Sequence, residues 1–190
     1  ILVTISFLED FSLHTDPTVA TSTLGWIPPG LGWIKVNVDA AVRMSDNEAV
    51  CGGVLRDHYG VFLHGFMANI GTCYVLEAKL WAILNGLQLA LDRGYSHILV
   101  KSDAAEAVRL CSTLSLISHP LLERVQTIQR MSRIPVGCCF RSVFREHNRV
   151  ADEMAKRVFS ISSALFSAFN VAPAFISSLL RVDAAGLSVP

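Results

Sequence analysis

Net charge is the first thing this sequence lacks. Sixteen Lys and Arg cancel sixteen Asp and Glu, and charged residues make up only 17% of the chain. No global field announces a nucleic-acid or membrane partner, so any such partner has to be recognised through local charge. Low-complexity runs and internal repeats are also missing, and 52% of residues are hydrophobic, which excludes a disordered or collagen-like chain. No C-x-x-C pair joins Cys51, Cys73, Cys111, Cys138 and Cys139, and no His lies at zinc spacing from them. That excludes a zinc module. The expectation is buried thiols in an intracellular, reducing compartment, nucleus or cytoplasm, and not a secreted protein. No basic segment precedes the apolar run Ile1–Leu8, and Glu9 and Asp10 follow at once, so this run is not expected to be a signal peptide. The stretch between Arg157 and Arg181 has no charge and is long enough to span a bilayer. Its serines, Asn170 and Pro173 make insertion costly, so no membrane partner is expected.

What is present suits one domain. Residues 1–25 have no period and, with Pro17, Thr18, Thr21, Ser22 and Thr23, read as an N-terminal linker or fragment. Residues 26–160 carry the domain, and 161–190 form a C-terminal tail that packs on it or trails it. Residues 33–39 alternate, with Ile34, Val36 and Val38 on one face, as a strand does. Residues 50–55 are a second strand, where Gly52-Gly53 marks a bulge or a close approach. After a turn ending at Gly60, residues 61–67 return as a third. From Val75 to Asp92 the apolar residues recur at helical spacing, and Gly94 ends the run. A strand at 97–101, helices at 104–110 and 120–131, a strand at 138–144 and a helix at 148–159 complete the order βββαβααβα. Strands separated by helices pair in parallel through right-handed crossovers. The expected fold is α/β, a five-stranded mixed sheet built of an antiparallel meander and parallel βα units, with flanking helices.

Ligand sites in such sheets lie beyond the C-terminal ends of the parallel strands. Asp39 is expected to end strand one, Asp103 follows strand four, and Asp152 lies in the first turn of the last helix. Three carboxylates converging there would suit Mg²⁺, and two such ions can clamp an in-line phosphoryl displacement. Each has a plainer role. Asp103 with Glu106 spells a capping box, and Asp152 complements a helix dipole. Asp39 is harder to explain away, because a carboxylate in so apolar a strand is costly if unpaired. Glu77 and Glu106 read as helix-start residues. His58, His64, His97 and His119 are scattered singly, in surface or satisfied roles.

At this point the chain resembles the ribonuclease H superfamily, and in particular the retrotransposon-derived RNase H-type domain of plant genomes. The resemblance covers roughly residues 26–160. It rests on Trp26-Ile27-Pro28-Pro29 leading into Lys35-Val36-Asn37-Val38-Asp39, on Gly52-Gly53-Val54-Leu55-Arg56-Asp57, and on Leu80-Trp81-Ala82-Ile83 with Gly86. Ser102-Asp103 and Arg145-Glu146-His147-Asn148-Arg149-Val150-Ala151-Asp152 complete it. Pro173, Leu179-Leu180, Asp183 and Gly186 resemble the tail such proteins carry. The resemblance implies endonucleolytic cleavage of RNA in RNA–DNA hybrids, with two Mg²⁺ held by Asp, Glu, Asp and Asp. Asp39, Asp103 and Asp152 match three of these as catalytic and metal-binding residues. The position of the Glu holds Lys79. Glu77, two residues earlier, is turned about 200° around a helix and should point away. The His that the family places ten residues before the last Asp is Ser142 here, which implies slower turnover. Two unit charges about 4 Å apart interact by roughly 4 kcal/mol at an effective dielectric of 20. Even half of that repulsion from Lys79 would weaken Mg²⁺ binding more than tenfold, since about 1.4 kcal/mol is a factor of ten.

The C-terminal half leans basic, with nine Lys and Arg against five Asp and Glu between Ala104 and Val158. Arg124, Arg130 and Arg133 fall on or near one helix, and Arg141, Arg145 and Arg149 surround the last strand, a local patch of the kind that tracks phosphates. Three functions fit these residues: a nucleic-acid-binding domain with a compromised metal site, a working hybrid ribonuclease that uses Glu77, or a decayed retroelement remnant that binds nothing.

Overall fold

The computed structural model describes residues 26–113, 120–161 and 165–185; the segment 1–25 and Gly186 lie outside them. Alternation sets the first strand. In β1 (Ile34–Val42), Val36, Val38 and Ala40 enter the main core, while Lys35, Asn37 and Asp39 alternate to the opposite side and are buried there. The strand β2 (Glu48–Arg56) runs antiparallel to β1, and β3 (Phe62–Thr72) antiparallel to β2. The turn between β2 and β3 closes on Asp57, whose Oδ1 accepts from the amides of Tyr59 and Val61. Gly60 sits there at φ +80°, a conformation that favours glycine.

Helix α1 (Val75–Asp92) spans the residues its periodicity predicts and lays Leu80, Ile83 and Leu87 into the core. It can come this close because of Gly86, where a Cβ would lie 2.6 Å from Val38 and 2.9 Å from Val36. Then follow β4 (His97–Ser102), α2 (Ala105–Ser112), α3 (Leu122–Met131), β5 (Gly137–Ser142) and α4 (Arg149–Arg157). β4 pairs in parallel with both β1 and β5, as the helical crossovers require. Gly52 and Gly53 mark close approaches. A Cβ on Gly52 would lie 2.6 Å from the backbone of α4, and one on Gly53 would lie 2.5 Å from the Phe66 ring. The irregularities of register fall elsewhere, at Ala49/Val50 and Leu55/Arg56.

The sheet has six strands rather than the expected five, in the order β5-β4-β1-β2-β3-β6. The sixth, β6 (Phe166–Phe169), comes from the stretch read as a tail and pairs antiparallel with β3, where Phe166 stacks on Phe66. An open edge at β3 supplies the unpaired amides and carbonyls that draw so short a segment into a strand. Beyond it, α5 (Ser177–Ala184) and the preceding 3₁₀ turn set Ile176, Phe175, Leu179 and Leu180 against a second, smaller core formed by α4, β2 and β3. Asp183 of α5 reaches back to the buried Arg56 guanidinium at 2.7 Å, which also lies 3.9 Å over the Trp26 ring. Among the described residues, no helix is long and apolar enough to cross a membrane.

Lys35 faces Arg56 across β1 and β2 and is 4% exposed. Its ammonium donates to the Ile27 carbonyl at 2.5 Å and lies 4.7 Å over Trp26. Burial, then the charges of Lys101 and Arg56, push its pKa down to about 7 against a weaker pull from Asp183. The unfolded chain therefore holds this proton more tightly over the window from about 7 to 10.4, and stability rises with pH there, by up to about 1.4 kcal/mol per unit. Lys35→Met should be more stable than wild type at pH 7, with the gap closing toward pH 10. Urea unfolding at the two pH values checks this. An equal gap at both would mean that Lys35 is charged throughout.

Candidate functional site

Two strands part company at the centre of the sheet. β4 follows β1 only as far as Lys101, opposite Asn37, whereas β1 continues to Val42 against β2. Asp39 therefore does not end its strand, as the sequence suggested. It lies inside β1, opposite Gly52, just past the point where β4 turns away. Asp103 follows the last residue of β4. The two carboxylates thus face the same mouth at the C-terminal ends of the parallel strands, where such sheets form their sites.

The first turns of α1 deliver the third member. Lys79 points into this mouth, 7% exposed, and its Nζ donates to Asp103 Oδ1 at 2.8 Å and to Asp39 Oδ1. Asp39 Oδ1 also accepts from the Ala40 amide at 2.8 Å, and Arg145 Nε lies 3.5 Å from Asp103 Oδ2. Burial pushes the Asp39 carboxyl up, to about 6, although the Lys79 charge opposes this. Burial also works against Asp103, but the hydrogen bond and charge of Lys79 outweigh it and hold that carboxyl below the ordinary range. Lys79 loses hydration as well. The attraction of Asp39 and its hydrogen bonds to both carboxylates more than restore the proton and hold it above the usual lysine range.

Asn148 locks the surroundings. Its Oδ1 accepts from Asn37 Nδ2, and its Nδ2 donates to the Val38 carbonyl, each at 2.9 Å. Asn37 Oδ1 accepts in turn from Trp26 Nε1 at 2.9 Å. This buried network pins the start of α4 to β1 one residue from Asp39. Sequence reasoning placed Trp26, Asn37 and Asn148 only within motifs and missed their mutual bonds. The signal available was at Trp26 and Asn37, polar-capable side chains framed by apolar residues; Asn148, between His147 and Arg149, carried no such signal.

Of the sequence-predicted site residues, Asp39 and Asp103 are brought together. Asp152 sits in the first turn of α4 and takes the Lys156 ammonium at 2.7 Å, one helical turn on. The capping box at Asp103 does not form: α2 starts after Ala104 with no side-chain cap, Lys79 and Arg145 hold Asp103, and Glu106 pairs with Arg109. Glu77 points away from the mouth, as the helix phase predicts. It binds Arg124 of α3 at 2.8 Å, and the same guanidinium lies 4.3 Å over Trp81 in a cleft of about 330 Å³ between α1 and α3. Ser142 ends β5, exposed.

This donor set does not fit a divalent metal ion. The ammonium already donates to both carboxylates that would be the ligands. Among the described residues, no three His, Cys, Asp or Glu side chains gather closely enough to hold such an ion. What the arrangement does chemically is offset part of the charge of two clustered carboxylates with an internal cation.

The comparisons agree with this architecture. A family model described as reverse transcriptase-like matches residues 37–158. An Arabidopsis thaliana protein named as a ribonuclease H protein is 36% identical over 167 residues, which cover 88% of this chain and 27% of that relative. This chain thus spans about a quarter of that relative's length. Among solved structures, the N-terminal RNase H domain of a Mycobacterium tuberculosis protein superposes with a TM-score of 0.63 at 22% identity, covering 67% of this chain and 94% of that one. An RNase H1 isolated from compost by a metagenomic approach superposes with a TM-score of 0.61 at 26% identity, covering 68% and 97%. The compost enzyme has also been crystallised in complex with an RNA/DNA hybrid. The fold is that of an RNase H-like domain. Within that class the chain belongs to the reverse transcriptase-like family.

Removing the cation tests the triad. Lys79→Met leaves Asp39 and Asp103 facing each other inside the mouth, and breaking a buried ion pair from one side typically costs about 3–5 kcal/mol. A loss of that size in urea unfolding at pH 7 is expected. An unchanged midpoint would mean that the carboxylates do not depend on Lys79.

Proposed function

We propose that this chain is an RNase H-type nucleic-acid-binding domain for RNA–DNA hybrids whose hydrolytic activity is impaired. The binding unit is residues 26–160, and the protein works in a reducing compartment. Membership of the family and the hybrid bound by the compost RNase H1 support the choice of ligand. One observation carries the impairment: the Lys79 ammonium bridges Asp39 and Asp103. The family resemblance puts a Glu at this position and Mg²⁺ beside it. Here one residue reverses a charge in the ligand set and supplies a competing cation at the same place. For a buried Lys with two carboxylate partners, protonation is the stable state, so the obstacle persists across the physiological range. The thiols are quiet: burial pushes Cys51, Cys111 and Cys138 up to about 12, and all five cysteines are free.

The reading in which Glu77 completes the site has the geometry against it, since Arg124 holds that carboxylate in the α1–α3 cleft. Cleavage of a labelled RNA–DNA hybrid with Mg²⁺ or Mn²⁺, run on wild type and Lys79→Glu together, separates the readings. The expected result is cleavage by Lys79→Glu, with wild type slower by more than about tenfold, the factor that 1.4 kcal/mol carries. Equal cleavage by both would overturn the impairment. Failure of wild type to bind hybrid at all would overturn the binding role and favour a decayed remnant.

A further inference from the structure

The sheet ends in an open edge. β6 is its last strand, and among the described residues only β3 pairs with it. Among those residues, too, no turn or loop backbone bond reaches 165–172. The outer amides and carbonyls of such a strand are a template for another strand. Edges are commonly blunted by a charged side chain, a proline or a bulge. β6 reads Phe166-Ser167-Ala168-Phe169 in unbroken register and has none of these; its one protection is its shortness. The edge is also held ready. Phe166 stacks on Phe66, and Asn170, just past the strand, accepts from Arg93 Nη1 at 2.6 Å and lies 3.2 Å from His64 Nδ1. A strand fixed at both ends gives up little freedom when it pairs.

The placement of the exposed apolar side chains points to the occupant. Leu165 is 82% exposed, Phe166 45% and Val171 79%. Leu165 and Val171 lie three residues before and three residues after Ala168, which is itself exposed. A second copy turned by half a revolution about Ala168 runs antiparallel to the first. It sets Ala168 opposite itself, Ser167 opposite Phe169, and Leu165 of each copy towards Val171 of the other. No charge lies between Arg157 and Arg181, so nothing in this segment meets a like charge when it pairs with itself. We infer that the outer edge of β6 pairs with β6 of a second copy of this chain, in a two-fold dimer centred on Ala168 that joins two six-stranded sheets. The same patch serves both copies and both edges are used up, so the assembly closes at two. With four residues in each strand the dimer is weak and transient. It uses no group of the Lys79 centre and does not rest on the hybrid-binding reading.

The test is sedimentation velocity of the full chain over a range of concentrations, without nucleic acid. Wild type should pass from monomer to dimer and no further. Ala168→Lys and Ala168→Glu each put like charges face to face at the centre of the pairing. Each should therefore dimerise more weakly than wild type by more than about tenfold. An equal mixture of the two sets Lys against Glu and should restore the dimer. Circular dichroism melting at low concentration checks that the variants fold. Should they not, Leu165→Asp changes only an exposed side chain outside the strand, and by losing the contact with Val171 of the second copy it should also weaken the dimer. A wild type that stays monomeric at every concentration overturns the proposal, whether the edge is then bare or takes another protein. So does a dimer that folded Ala168→Lys or Leu165→Asp leaves unchanged. Folded Lys and Glu variants that stay apart when mixed overturn the two-fold at Ala168, and wild-type oligomers that grow beyond two overturn the closed pairing.

Discussion

An ammonium held between two buried carboxylates is the constraint on which the centre of this molecule rests. Asp39 and Asp103 are brought to one mouth by strand topology, and neither has enough backbone donors there to sit ionised beside the other. Lys79 resolves this by donating to both. Each of the three pays desolvation, and their mutual attraction offsets it only while all three are present. The same contact fills, from within, the space between the two carboxylates.

The surrounding architecture reads as support for that mouth. β1 parts from β4 after Asn37 but stays with β2, which opens the crevice without losing the strand. Asn148 bonds both the Asn37 side chain and the Val38 backbone, so the start of α4 cannot drift from the strand that carries Asp39. Gly52 lets the backbone of α4 lie almost on β2, and Gly86 lets α1 lie on Val36 and Val38. Close packing of both helices fixes the reach of Lys79 from one side and the bearing of Asn148 from the other. The C-terminal elements act further out, where β6 covers the edge of β3 and Asp183 neutralises the buried Arg56.

Much of this was legible in the residues, and the failures have physical causes. α1 could be bounded because an uninterrupted helical period runs into Gly94. The rotation of a helix between positions 77 and 79 correctly separated Glu77 from the mouth, and the structure gives it Arg124 as a partner. The end of β1 was misplaced because pairing with β2, not local sequence, decides where that strand stops. β6 has four residues within a serine-rich apolar stretch; only the waiting edge of β3 makes it a strand, and an edge is not a local signal. The capping box at Asp103 and Glu106 was a sound local motif that lost to tertiary partners, Lys79 for one carboxylate and Arg109 for the other. Asp152, one turn before Lys156 on the same helix, finds a local ion pair instead of joining the cluster.

The central claim is that Lys79 holds Asp39 and Asp103 in place of a divalent cation. Calorimetric titration of Mg²⁺ and Mn²⁺ into the full chain tests it without reference to activity, with wild type and Lys79→Glu compared under one set of conditions. The account predicts no saturable binding to wild type and clear binding to Lys79→Glu, where a third carboxylate replaces the ammonium. Saturable binding to wild type as tight as that to Lys79→Glu would contradict it.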